Sequence, residues 1–156
     1  MNRYHHTRML TLSGIIIALY IVTMYITQSF AFGPIQIRLA TSIYSLAYLF
    51  PFLIVPLGLA NILSNLLFGG LGPLDLLGGG VVGVLTTSLV FLVRKYQLNI
   101  RWIILPIIFI PGLGVPLWLS PLTGIPYQLL AVQLILGQII PAFLGLYLVN
   151  VLQKRI

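Results

Sequence analysis

Long apolar runs broken by short polar punctuation organise this chain. The first run extends from Met9 to about Phe32, behind Arg3 and Arg8. Gly33-Pro34-Ile35-Gln36-Ile37-Arg38 then interrupts it with a turn pair and a charge. The apolar stretch 41–72 is too short for two full spans and a loop, and Pro51 and Pro56 divide it. It predicts two short or tilted helices that turn near those prolines. Gly69-Gly70-Leu71-Gly72-Pro73-Leu74-Asp75 reads as the next loop. Further helices are expected at 76–93, at 102–118 with bends at Pro106 and Pro111, and at 127–151 after a loop at 120–126. Trp102 and Trp118 stand about 24 Å apart on a straight helix, close to the spacing of two interfacial belts. The pattern predicts an all-α integral membrane protein: six transmembrane helices in a single domain over 1–156, with short tails at 1–8 and 152–156.

Composition strengthens this reading. Apolar residues make up 60% of the chain and charged ones 6%, against about 25% charged in soluble domains. That excludes a water-exposed globular surface. A basic start before an apolar run also describes a signal peptide, but this run is too long for a typical h-region. The net charge of +7 does not mark a nucleic-acid binder, because the bases are sparse and sit at the ends of apolar runs. With six crossings, Arg3, Arg8, Arg94, Lys95, Arg101, Lys154 and Arg155 share one side and only Arg38 lies opposite. The positive-inside rule then makes both termini cytoplasmic in a multi-pass protein of the cell membrane.

The missing chemistry is equally informative. There are no cysteines and one acid, Asp75, while both histidines, His5 and His6, lie in the N-terminal tail. Thiolate catalysis, a carboxylate pair and a Ser-His-Asp constellation are thereby excluded, so neither catalytic nor metal residues nor a cofactor is expected. The glycine-rich loop lacks the Lys-Ser/Thr of a P-loop. The chain therefore cannot drive transport with ATP by itself.

The remaining polar residues need a reason inside a membrane. Arg38 and Asp75 fall on the outer face, either as a structural ion pair, as separately solvated charges, or facing a ligand. Asn61 and Asn65 share one helix face, where they serve an interhelical hydrogen bond or read a donor–acceptor edge. Gln128, Gln133 and Gln138 raise the same question with less focus. Tyr44, Tyr48, Trp118 and Tyr127 supply flat walls or belt residues. Gly14–Ala18 and Gly79–Gly83 are small-xxx-small pairs that permit close helix approach, the first toward an external partner and the second within the chain.

Phe32-Gly33-Pro34-Ile35-Gln36-Ile37-Arg38-Leu39-Ala40, Tyr44-Ser45-Leu46-Ala47, Gly58-Leu59-Ala60-Asn61 through Asn65, and Leu71-Gly72-Pro73-Leu74-Asp75 together resemble the QueT family. These are substrate-binding S components of energy-coupling factor (ECF) vitamin transporters, associated with queuosine precursors. The motif resemblance spans roughly residues 30–95. It implies a six-helix fold whose outer loops close over a vitamin-like ligand, with Gln36, Arg38, Tyr44, Asn61, Asn65 and Asp75 as substrate-binding residues. It also implies a transmembrane coupling subunit and two ATPase subunits as partners, with Gly14 and Ala18 meeting the coupling subunit. Relatives with this fold also take up other compounds, including cobalamin. Thr41 stands where the family usually carries an acid, the natural acceptor for a deazaguanine's adjacent N–H donors. Asp75 or the asparagines then have to accept, or the ligand is of another kind. Two rival readings are a non-transporting membrane scaffold and a stand-alone secondary carrier.

Overall fold

The first helix, α1 (Arg3–Ala31), starts ahead of the apolar run and takes the basic tail into its first turns. The computed structural model describes residues 3–31 and 35–155, with side chains from His6 onward. Phe32, Gly33 and Pro34 of the first motif lie outside the described residues, as do the side chains of Arg3 and His5. Ile16, Tyr20 and Met24 recur every fourth residue and form the buried stripe of α1. On its other faces Leu10 and Ile26 are more than 70% exposed. Outward faces this apolar suit hydrocarbon rather than water.

The chain returns through a 3-10 helix, Leu39–Tyr48, in which eight of ten residues are buried. Runs of this geometry rarely exceed three or four residues. Here hydroxyls reinforce the tight turns: Thr41 Oγ1 donates to the Arg38 carbonyl, Ser42 Oγ to that of Leu39 and Ser45 Oγ to that of Ser42, each at 2.7 Å. At roughly 2.0 Å per residue the segment covers about 20 Å, where an α-helix of equal length covers about 15 Å. It forms the central rod of the bundle, packed against helices from both halves of the chain.

A short 3-10 turn, Pro51–Leu53, leads into α2 (Ile54–Phe68), so the expected division near Pro51 and Pro56 is present. α3 (Pro73–Lys95) follows a turn in which Gly72 has φ +101°, with Pro73 at a helix start that tolerates its missing N–H. Asp75 thus belongs to the first turn of a helix and not to a loop. The fifth apolar run divides into α4 (Ile104–Gly114) and α5 (Pro116–Thr123), after a 3-10 start at Ile100–Ile103. The break falls before Pro116, whereas Pro106 and Pro111 lie within α4. The following loop shrinks to 124–126, with Gly124 left-handed at φ 72°. α6 (Tyr127–Gln153) completes the bundle, and no strand occurs among the described residues.

Side-chain contacts fix the direction of each segment. Phe50 and Phe52 lie beside Thr7 and Leu12 near the start of α1, and Phe68 meets Tyr25 near its end. Arg94 donates to the carbonyls of Tyr48 and Leu49, and Val149 shares a cluster with Tyr48, Val93 and Ile103. The beginning of α1 and the end of α6 therefore occupy the same end of the bundle. Among the described residues, five segments are long and apolar enough to cross a membrane: His6–Ala31, Pro51–Phe68, Pro73–Lys95, Ile100–Thr123 and Tyr127–Gln153. The expected sixth corresponds to the Leu39–Tyr48 rod, which is shorter than the length a crossing helix needs.

Candidate functional site

α2 and α3 touch along glycines, and this closeness assembles a buried polar column. A Cβ on Gly58 would lie 3.2 Å from the Gly80 carbonyl, and one on Gly83 would lie 3.1 Å from the Tyr44 hydroxyl. A Cβ on Gly79 would sit 2.7 Å from Asn65 Nδ2 and 2.8 Å from Asn61 Oδ1. The Gly79–Gly83 pair thus serves packing inside the chain.

The column begins at the first turn of α3. Asp75 is 5% exposed. Its Oδ1 accepts from Trp118 Nε1 at 2.9 Å, and its Oδ2 accepts from the Leu71 amide at 3.2 Å. Asp75 is therefore buried rather than solvated; the turn before α3 and the α5 indole hold it. A carboxylate at a helix start is also favoured by the amide dipoles there. Asn65 Nδ2 donates to the Asp75 carbonyl at 3.2 Å. One turn earlier, Asn61 Nδ2 donates to Tyr44 Oη at 2.6 Å. The Tyr44 and Tyr20 hydroxyls lie 3.2 Å apart, with their rings stacked at 5.7 Å. Arg38 is 8% exposed and close enough to both tyrosines to act on them electrostatically.

Two atoms stand out. Asn61 Oδ1 and Asn65 Oδ1 are buried and accept no hydrogen bond among the described residues. An unpaired acceptor in an apolar interior costs about 1–3 kcal/mol. Both atoms belong to the side-chain amides beside Gly79, so this part of the column can accept from a donor.

A second arm reaches the column from α6. Thr41 Oγ1 lies 2.7 Å from Gln138 Oε1, and both residues are 2% exposed. Gln36 is partly exposed and holds a left-handed backbone at φ 47°, uncommon for a non-glycine residue. Its carbonyl and that of Ile35 abut Gly137 of α6.

Of the six residues expected at a ligand site, Tyr44, Asn61, Asn65 and Asp75 lie along the column, Arg38 lies beside its tyrosines, and Gln36 meets α6. Tyr20 and Gly137 were not among them. Neither carried a signal in the sequence: α1 is apolar on all sides, so burial alone sets Tyr20 in one stripe with Ile16 and Met24, and Gly137 lies in a long, mainly apolar run. Tyr48 belongs elsewhere, with Arg94 5.9 Å over its ring. Tyr127 is exposed and donates to the Leu113 carbonyl at 3.0 Å. Gly14 and Ala18 face outward, and a Cβ on Gly14 would meet nothing within 4 Å. No group of three metal-ligating side chains occurs among the described residues.

No curated protein and no solved structure matches the chain. A family model described as QueT transporter, however, matches residues 10–154, nearly the whole chain, including both arms of the column. The chain belongs to the QueT transporter family.

Proposed function

We propose that this chain is the substrate-capture subunit of an ECF-type vitamin importer and binds a queuosine precursor of the 7-deazaguanine type. The observation that carries the reading is the buried polar column, with its two unpaired asparagine acceptors, inside an otherwise apolar bundle. Asp75 spends both carboxylate oxygens on Trp118 and Leu71. Asn61 and Asn65 therefore take the acceptor role that Thr41 leaves open, and Tyr20 and Tyr44 offer flat walls. Gln36 and Arg38 form the side of the site nearest α6.

In this reading the Leu39–Tyr48 rod, extended by 35–38, is the second of six crossings. Seven of the eight bases then share the side of the two termini, which the positive-inside rule makes cytoplasmic in the cell membrane. The ligand enters from the extracellular face. Gly14 and Ala18, exposed on α1, meet a transmembrane coupling subunit that carries two ATPase subunits with it.

Titration of the purified chain in detergent with queuine, related deazaguanines and cobalamin tests the assignment. One compound is expected to bind tightly. Arg38→Ala should raise its Kd about tenfold or more, the weight of a hydrogen bond to a charged group. Absence of binding and of transport with the coupling module would end the proposal. Tight cobalamin binding would keep the capture role and change the substrate. Gly14→Leu and Ala18→Leu should spare ligand binding and reduce co-purification with the coupling subunit; normal assembly in both would remove α1 from that contact. Uptake that survives loss of the ATPases but fails in Asp75→Asn would instead favour a secondary carrier.

A further inference from the structure

A cleft at the end of the bundle opposite Asp75 remains unassigned. It is an open groove between the end of α3 and the start of α4, with a volume of about 450 Å³, lined mainly by Leu89, Leu92, Tyr96, Trp102, Leu105 and Phe109. That volume falls within the range of small-ligand sites, but its apolar wall suits hydrocarbon. Tyr96 and Trp102 are 66% and 53% exposed, as interfacial aromatics at headgroup depth are.

The turn beside the cleft is firmly built. The Leu98 amide reaches back to the Val93 carbonyl at 2.9 Å, Gln97 is left-handed at φ 54°, and Asn99 Oδ1 accepts from the Arg101 amide at 3.0 Å. This turn carries Lys95 and Arg101, both exposed and each adjacent in sequence to a lining aromatic. The neighbouring Arg94 is engaged with the Tyr48 and Leu49 carbonyls. Asp75, the only acidic side chain, lies at the other end of the bundle, so no carboxylate side chain of this chain neutralises Lys95 or Arg101.

We propose that this cleft is a binding site for an anionic phospholipid. An acyl chain lies along the Leu89–Phe109 wall, and the phosphate is held by Lys95 and Arg101 at the depth of Tyr96 and Trp102. An apolar cleft whose two lining aromatics are each preceded in sequence by an exposed base fits one molecule that is hydrocarbon at one end and anionic at the other. The outward face of α1 is a separate surface, since α1 packs on α2 and the 3-10 rod whereas the cleft lies between α3 and α4.

Trp102 serves as the probe. The full chain with Trp118→Phe keeps it as the single tryptophan and is reconstituted in phosphatidylcholine vesicles with brominated phosphatidylglycerol or brominated phosphatidylcholine. If that variant does not fold, the unaltered chain corrected by the Trp102→Phe signal supplies the same reading. Brominated phosphatidylglycerol is expected to associate about five- to thirtyfold more strongly, the range for one or two basic contacts. Lys95→Gln with Arg101→Gln should bring the ratio close to one. Equal quenching by both lipids, or a preference that survives the double substitution, would overturn the proposal. Loss of the preference on adding millimolar inorganic phosphate would reassign the bases to a free anion. Shielding of Trp102 from both lipids only after assembly with an ATPase module would give the cleft to a protein.

Discussion

Gly137→Val is expected to abolish ligand binding and lower the stability of the purified chain more than any other small change in α6. A Cβ at this position would overlap the Ile35 carbonyl oxygen and lie 2.8 Å from that of Gln36. Both obstacles are backbone, and Gln36 already holds a left-handed conformation. Relief therefore requires moving the segment 35–38, which carries Arg38 into the bundle. Alanine gains about 1 kcal/mol of helix propensity over glycine, but overpacking a tight contact costs about 1–3 kcal/mol. Gly137→Ala should then be mildly destabilised and bind ligand about tenfold more weakly, with valine worse on both measures. Thermal unfolding in detergent and ligand titration give the two readings. Gly14→Ala, with open space around its Cβ, is the control and should retain both. Wild-type affinity in Gly137→Ala would show that α6 does not position the segment 35–38.

The second large effect is expected at Trp118. Phenylalanine keeps an aromatic ring but loses the N–H that Asp75 accepts, together with part of the indole that lies against Gly78, where a Cβ would sit 2.8 Å away. A hydrogen bond to a charged group contributes about 1.5–3 kcal/mol, so Trp118→Phe should destabilise by that order. It should also hasten ligand release, because the bond ties the start of α3, and with it the Asp75 carbonyl held by Asn65, to α5. Asp75→Asn weakens the same bond and disturbs the Leu71 contact as well. A double-mutant cycle separates the two parts: coupling of about 1 kcal/mol or more between the substitutions is expected. Strict additivity would show that the indole and the carboxylate act independently.

These two sites differ in how far they could be read from the chain. Asp75 was conspicuous as a lone acid among apolar residues, and Trp118 as one of two tryptophans, yet nothing linear joined them. Their link depends on α5 folding back over the start of α3. The loop reading of Asp75 failed because Gly72 and Pro73 start α3 three residues earlier than the apolar pattern alone suggested. Gly137 was invisible for a different reason. It lies in a long, mainly apolar helix, and its importance comes from the Ile35 and Gln36 backbone, about a hundred residues away in the chain. The same holds for Gln138, one of four glutamines on α6, of which Thr41 selects one.

What the sequence determined by itself was the solvent and the elements. Hydrocarbon leaves backbone amides no partner outside the chain, so apolar runs of this length must become helices. Prolines and glycines placed most of their ends, and the asymmetry of eight bases suggested their orientation. Tertiary structure alone decided which faces look inward. Helices apolar on all sides carry no amphipathic stripe to reveal that. It also decided the geometry of residues 39–48, where back-bonded hydroxyls and close packing favour a 3-10 rod over an α-helix. That rod brings Tyr44 to Asn61, Thr41 to Gln138 and Arg38 into the interior. The contacts of this polar column join several segments because a buried amide or carboxylate, unlike a hydroxyl that can bond back to its own helix, needs partners on another element when it leaves water.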